Sequence, residues 1–171
     1  DTKLIVSWYV GNRDAESANI FMQDLAGRLA NRVQLTTDGL KAYLQAVDDA
    51  FGAQIDFAQL VKMYGATDER NEKRYSPAEW IGSKRTNITG EPDSKHISTS
   101  HVERQNLTMR MHMRRFTRLT NAFSKKLENH CHAIALHFVY YNFAKIHKTL
   151  RVTPAMEAGL TKDIMKIEEI V

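Results

Sequence analysis

Cysteine is nearly missing from this chain: Cys131 is the one thiol in 171 residues. A lone cysteine makes neither a disulfide framework nor a CxxC zinc pattern, which excludes a bridge-stapled secreted scaffold and favours a reducing compartment. Long apolar runs are missing too. No stretch reaches 18 consecutive apolar residues, and the first residues show no basic region followed by a signal-like apolar run, which argues against a membrane span or a secretory leader. Internal repeats and low-complexity tracts are also absent. A soluble, cytoplasmic protein is the expectation, and its 43% hydrophobic content is enough to bury a core as one domain.

One further absence is local. Between Arg104 and Lys126 there is no Asp or Glu, while seven basic residues occur: Arg104, Arg110, Arg114, Arg115, Arg118, Lys125 and Lys126. The rest of the chain holds the other 17 basic residues against all 20 acidic ones, so the whole excess of +4 sits in this segment. A concentrated basic stretch on an otherwise slightly acidic protein is the electrostatic footprint of binding to a phosphate backbone. A solvated helix face would have the same composition, and charge alone does not separate the two.

Hydrophobic periodicity orders the rest. Leu4 to Val10 (LIVSWYV), ended by Gly11, reads as a buried strand. Asp14 opens a helix whose apolar positions Ala18, Phe21, Met22, Leu25 and Leu29 recur at helical spacing, with Asn31 as its end. Arg32 to Thr37 alternates as a second strand, with Asp38 at its tip and Gly39 in the turn. A helix from Leu40 to Phe51 follows, and then Ile55 to Met63 as a strand or a short helix. This alternation predicts an α/β layer fold whose strand ends carry the chemistry. Gly65 to Ser98 is polar and holds Pro77, Gly82, Gly90 and Pro92, which predicts a long irregular insertion. The last third reads as helical: one helix from caps at Ser98 to Ser100 out to about Leu119, with Val102, Met109, Met113 and Phe116 as its apolar stripe. Leu127, Cys131, Ile134, Phe138 and Tyr141 mark a second helix. Thr153-Pro154 starts another, Gly159 stops it, and Thr161 caps a final short one.

Two carboxylates stand out. Phosphodiester cleavage and transfer employ two divalent ions about 3.5 to 4 Å apart, and magnesium takes hard oxygen ligands while keeping several waters. Asp38, at a strand tip, and Glu103, in the first turn of a helix, suit that role. Each also has a plainer use: Asp38-Gly39 is an ordinary turn, and Ser100-x-x-Glu103 is a capping box. What favours the functional reading is the face Glu103 shares. Arg110 and Arg114, seven and eleven positions on, fall within about 20° of it around a helix, and a carboxylate beside arginines suits metal plus phosphate.

LTTDG (Leu35 to Gly39), HVERQNLTMR (His101 to Arg110) and YYNFAKIHKTLRVTPAMEAG (Tyr140 to Gly159) occur in one order. Together they resemble the DDE transposases of bacterial insertion sequences, of the IS-one type. LTTDG resembles that family's second-aspartate strand. HVERQNLTMR resembles its glutamate helix, with the basic residue seven positions on. The third motif resembles a C-terminal segment shared by integrase-like transposases. The resemblance implies an RNase H-like (integrase-like) core, two Mg²⁺ (or Mn²⁺) ions held by Asp38 and Glu103, and attack of a 3′-hydroxyl on target DNA. It also implies transposon ends and target DNA as partners, a homo-oligomer on DNA, and association with the bacterial nucleoid. The family's first aspartate lies in a motif resembling D-E-x-W-S-F, which this sequence does not contain. The expectation is therefore a partial catalytic domain lacking its first strands: residues 1–64 as α/β core, 65–98 as insertion and 99–171 as the helical part with the glutamate, unable to catalyse alone.

The rival from another class is a catalytically inactive DNA-binding remnant of a transposase. The coding sequence upstream of Asp1 separates the two, because an in-frame aspartate motif there restores the enzyme. A zinc site on His130, Cys131, His132 and His137 is the third reading, and it is disfavoured because these positions do not converge on a helix. Trp8 and Trp80 lie outside the basic segment and read as packing residues rather than base-stacking platforms.

Overall fold

In the computed structural model, residues 2–65, 80–117 and 120–170 are described. They form two compact units, one of residues 11–100 and one of residues 1–10 with 101–171.

In the first unit, Asp14 accepts a hydrogen bond from the Ser17 amide at 2.9 Å and so caps helix α1, Ala15–Arg28. The cap satisfies one of the orphan donors of the first turn. Strand β1, Val33–Thr37, runs through helix α2, Ala42–Phe51, into the parallel strand β2, Ile55–Tyr64. Strand β3, Trp80–Thr89, then pairs antiparallel with β2, giving the order β1-β2-β3. The strand predicted at Arg32 to Thr37, the two helices and the strand reading of Ile55 to Met63 are present in this unit.

The middle strand is buried on both faces, which is why it reads as a nearly continuous apolar run. Ile55 and Phe57 pack with Ala18 and Met22 of α1 and with Ala46 and Val47 of α2. The alternate residues Ala58 and Leu60 pack with Ile97 on the other face.

The predicted irregular insertion at Gly65 to Ser98 is corrected in its second half. Residues 80–89 are a strand, while 66–79 lie outside the described residues. WIGSKRTNIT shows no apolar alternation because Lys84 and Arg85 sit exposed at the sheet edge, where pairing needs backbone and not an apolar face. Gly90 ends β3 at φ +69, and a Cβ there would collide with the Asp56 carboxylate and come within 2.9 Å of the Ile55 carbonyl oxygen.

That close approach surrounds an ion pair. The Arg32 guanidinium donates to both oxygens of Asp56, at 2.6 and 3.0 Å, and the Glu91 amide donates to the same carboxylate at 2.9 Å. The guanidinium beside it and that amide hold the Asp56 pKa at about 2, against an ordinary 3.8. A depressed folded pKa adds stability that is present above the unfolded value and lost as pH falls through the folded one. Thermal melts of wild type and Asp56→Asn should therefore converge as pH falls from about 4 to about 2. A constant gap across that window would contradict the assignment.

The second unit is helical: α3, Ser100–His112; a 3-10 turn, Arg114–Phe116; α4, Leu127–Val139; a π turn, Tyr140–Ala144; α5, Pro154–Glu157; and a 3-10 turn, Ile167–Glu169. Thr153 caps α5 by accepting from the Met156 amide, and Gly159, at φ +72, follows it, as the sequence implied.

Three expectations fail in this unit. Leu4 to Val10 takes no part in the described sheet. Its backbone is paired by a side chain instead: the Ile5 amide donates to Asn142 Oδ1 at 3.0 Å, and Asn142 Nδ2 donates to the Ile5 carbonyl at 2.9 Å. Trp8 packs on Phe138 with ring centroids 6.0 Å apart. Helix α3 stops at His112 rather than near Leu119. None of its residues is buried, so packing does not prolong it, and Thr117 Oγ1 donates to the Arg110 carbonyl and satisfies one of its last acceptors. Of the stripe predicted for it, Val102 is exposed and Met113 is already extended. Thr161 accepts from the Asp163 amide in a local turn, and the final 3-10 turn begins only at Ile167.

Candidate nucleic-acid and carboxylate site

Asp38 stands just past the C-terminal end of β1, in the unit of residues 11–100. Its Oδ1 accepts from the Leu40 amide at 3.1 Å, the short-range bond that makes Asp a turn former. Its Oδ2 lies 3.8 Å from the Arg13 guanidinium, with both side chains exposed. An ion pair of that kind contributes little, so one carboxylate oxygen stays loosely held. Tyr43 is close by: burial raises its phenol pKa, Asp38's negative charge raises it further, and Arg13 opposes the rise.

The turn is braced from β2. Gln59, buried in the sheet, donates to Thr37 Oγ1 at 3.4 Å and to the Leu40 carbonyl at 3.3 Å. Gly39 passes so close to the sheet that a Cβ would sit 2.8 Å from a Val61 methyl. Gln59 and Gly39 therefore act as positioning residues for Asp38. A polar Gln inside the apolar run IDFAQLVKM was the available sign of the first.

Glu103 belongs to the other unit, in the first turn of α3. It lines a cavity of about 490 Å³ together with Asn106, Met109, Arg110 and Phe116. Steps of three and seven place Glu103, Asn106 and Arg110 on one helix face. The predicted sharing of a face by Glu103 and Arg110 is thus present, and Asn106 joins them unforeseen.

The basic residues separate by environment. Arg104, Arg110, Arg114, Lys125 and Lys126 are exposed, while Arg118 lies outside the described residues. Arg114 has left the helix, because Met113 is extended, so its expected alignment with Glu103 does not occur. Arg115 is turned inward: its Nη1 donates to Ser124 Oγ at 2.6 Å and to the Asn129 carbonyl at 3.2 Å, tying the segment to α4. His130 meets Phe116 and Ser124, whereas His137 meets His112 and Tyr141, so these two members of the zinc reading face different neighbours.

A mixed α/β protein with, among the described residues, a three-stranded sheet and five α-helices, bearing a carboxylate and an arginine over a cavity of a basic helical region, is the class that fold and site define. The IS1 transposase is the family whose model matches, over residues 78–145, consistent with an IS1-type DDE transposase. That span holds β3, Glu103, the whole basic segment and the π turn. The family suggests a transposase function and DNA as partner. No curated protein and no solved structure matches the chain. Among the described residues, no helix is long and apolar enough to cross a membrane.

Proposed function

We propose that this chain is the catalytic part of an insertion-sequence transposase of RNase H-like architecture that cleaves transposon ends and transfers the strands to target DNA. One observation carries this reading: Glu103 and Arg110 line a single cavity within the span that matches the IS1 transposase. A carboxylate for metal and a guanidinium for phosphate are the two groups that phosphoryl transfer needs side by side.

Asp38 and Glu103 fit magnesium or manganese by donor type. Both are exposed carboxylates on the ends of regular elements, and Asp38 Oδ2 has only a loose partner. Two such ions, when bound, activate the attacking oxygen and stabilise the leaving one. Asp38 and Glu103 would each serve as a ligand to such ions, with a further aspartate as another. Arg110 grips the phosphate beside Glu103, and the exposed Arg104, Arg114, Lys125 and Lys126 extend a sequence-independent track along the duplex. Both transposon ends must be held together, which calls for a homo-oligomer on DNA and for work at the bacterial nucleoid.

The test is strand transfer of a labelled transposon end into plasmid by the product of the entire reading frame, with and without chelator. Transfer that persists after divalent ions are removed would contradict the reading.

The environments of the arginines set a second expectation. Arg110→Ala and Arg114→Ala should each flatten the salt dependence of DNA binding by about one unit of slope. Arg115→Ala should instead lower the melting temperature while leaving the slope in place, because its bonds are internal. Fluorescence anisotropy across a salt series together with thermal melts checks both, and equal slopes in all three variants would remove the track.

A further inference from the structure

Beyond the basic segment, three separate stretches of the second unit bring cations to one place. The π turn ends at Lys145, whose Nζ lies 2.9 Å from His112 Nε2 on α3. The next turn folds back on itself: the His147 amide donates to the Val152 carbonyl at 3.0 Å, and the Arg151 amide donates to the His147 carbonyl at 2.7 Å. From the N-terminal segment comes Lys3, whose backbone is left-handed at φ +58 and whose ammonium donates to Thr149 Oγ1. That hydroxyl is 3.1 Å from His147 Nδ1. The charge of Arg104 reaches both Tyr141 and His147.

The buried Tyr141 ring links the cluster, with His147 at 6.5 Å on one side and His137 at 6.4 Å on another. His137 is only 7% exposed, and its Nε2 has no hydrogen-bond partner. Its ring meets His112 edge-on at 5.5 Å. Burial lowers the pKa of all three histidines, and the charges that lower them further, from Lys3, Arg104, Lys145 and His112, are positive throughout. Like charges gathered in one place repel one another, and left-handed backbone at a lysine adds strain. Both costs are understandable where an anion completes the arrangement.

We propose that Lys3, Arg104, Lys145 and His147, over His112 and His137, form a site for one phosphate oxyanion, supplied by the DNA backbone at a point separate from the Glu103 cavity. Three cationic prongs from different stretches suit a tetrahedral oxyanion better than a planar carboxylate. A bound phosphate reverses the field on the imidazoles, so His112 and His147 take up protons as it binds. Of the seven residues of the basic segment only Arg104 takes part. The assignment of DNA as the source rests on the transposase reading; the oxyanion site itself does not.

Two measurements on the full chain test it. In NMR titrations of the histidine ring protons, excess inorganic phosphate should raise the midpoints of His112 and His147 in wild type and in Lys145→Arg, but not in Lys145→Ala. In DNA binding across a salt series, Lys145→Ala should lose about one unit of slope and Lys145→Arg should keep it. Midpoints that ignore phosphate in a wild type that binds DNA overturn the site. Midpoints that move while the Lys145→Ala slope stays put overturn the DNA backbone as its source. Moving midpoints in a chain with no affinity for duplex DNA uphold the oxyanion site and defeat the transposase reading instead. Lys145→Arg guards against misfolding, since it keeps the charge.

Discussion

Strand transfer should fall by at least about a thousandfold when Glu103 becomes glutamine in the product of the entire reading frame, which corresponds to ~4 kcal/mol of lost transition-state stabilisation. The substitution keeps the shape of the side chain and its place over the cavity with Asn106 and Arg110. It removes only the negative charge, and a neutral amide is a poor ligand for a hard divalent ion. Binding to DNA should persist, because the exposed cations of the basic segment are untouched. The ratio of the two effects is the informative quantity: transfer lost with affinity kept identifies a ligand of the reacting centre, whereas both lost together would indicate a misfolded helix. Transfer at the wild-type rate would sink the assignment of Glu103. If the wild-type product binds DNA and transfers nothing, the inactive-remnant alternative takes over.

The sheet unit was largely legible in the sequence, because its signals are local. Asp14 caps the helix it precedes, apolar residues at helical spacing bury on one side, and β2 reads as apolar because both of its faces are covered. β3 escaped because an edge strand with Lys84 and Arg85 facing solvent carries no periodicity, and Gly82 within it and Gly90 just after it look like loop residues. Leu4 to Val10 misled in the opposite sense. Its composition suits a strand, but its backbone partner is the Asn142 side chain, 137 positions away, which no window of sequence can reveal.

The candidate site divides in the same way. Glu103 and Arg110 were readable as a pair because a step of seven returns to the same helix face. Arg114 was not, since the helix ends before it, and Arg115 is drawn inward by Ser124, nine positions on. Gln59 and Gly39, which hold the Asp38 turn, act through contacts across β2 that only the folded register supplies.

That register makes one core position decisive. Phe57 is 1% exposed, pairs with Leu35 of β1 and Thr89 of β3, and packs in the cluster of Met22, Val47 and Ile55. Phe57→Ala should cost about 3–5 kcal/mol, the loss of transfer energy plus an unfilled cavity, against a total of roughly 5–15 for a domain. For a unit of this size the melting temperature should drop by roughly 15 °C or more. Phe57→Leu, which leaves a smaller void, should lose clearly less. Met63→Ala on the same strand should stay within about 0.5 kcal/mol of wild type, because that side chain is exposed. Circular dichroism melts of the three variants check the ranking. Since Leu35 opposite Phe57 lies three residues before Asp38, loss of this contact loosens the strand that presents the carboxylate, and metal-dependent transfer should fail at temperatures where DNA binding by the helical unit survives. A Phe57→Ala protein that melts within a few degrees of wild type would mean that the sheet is not held from this face.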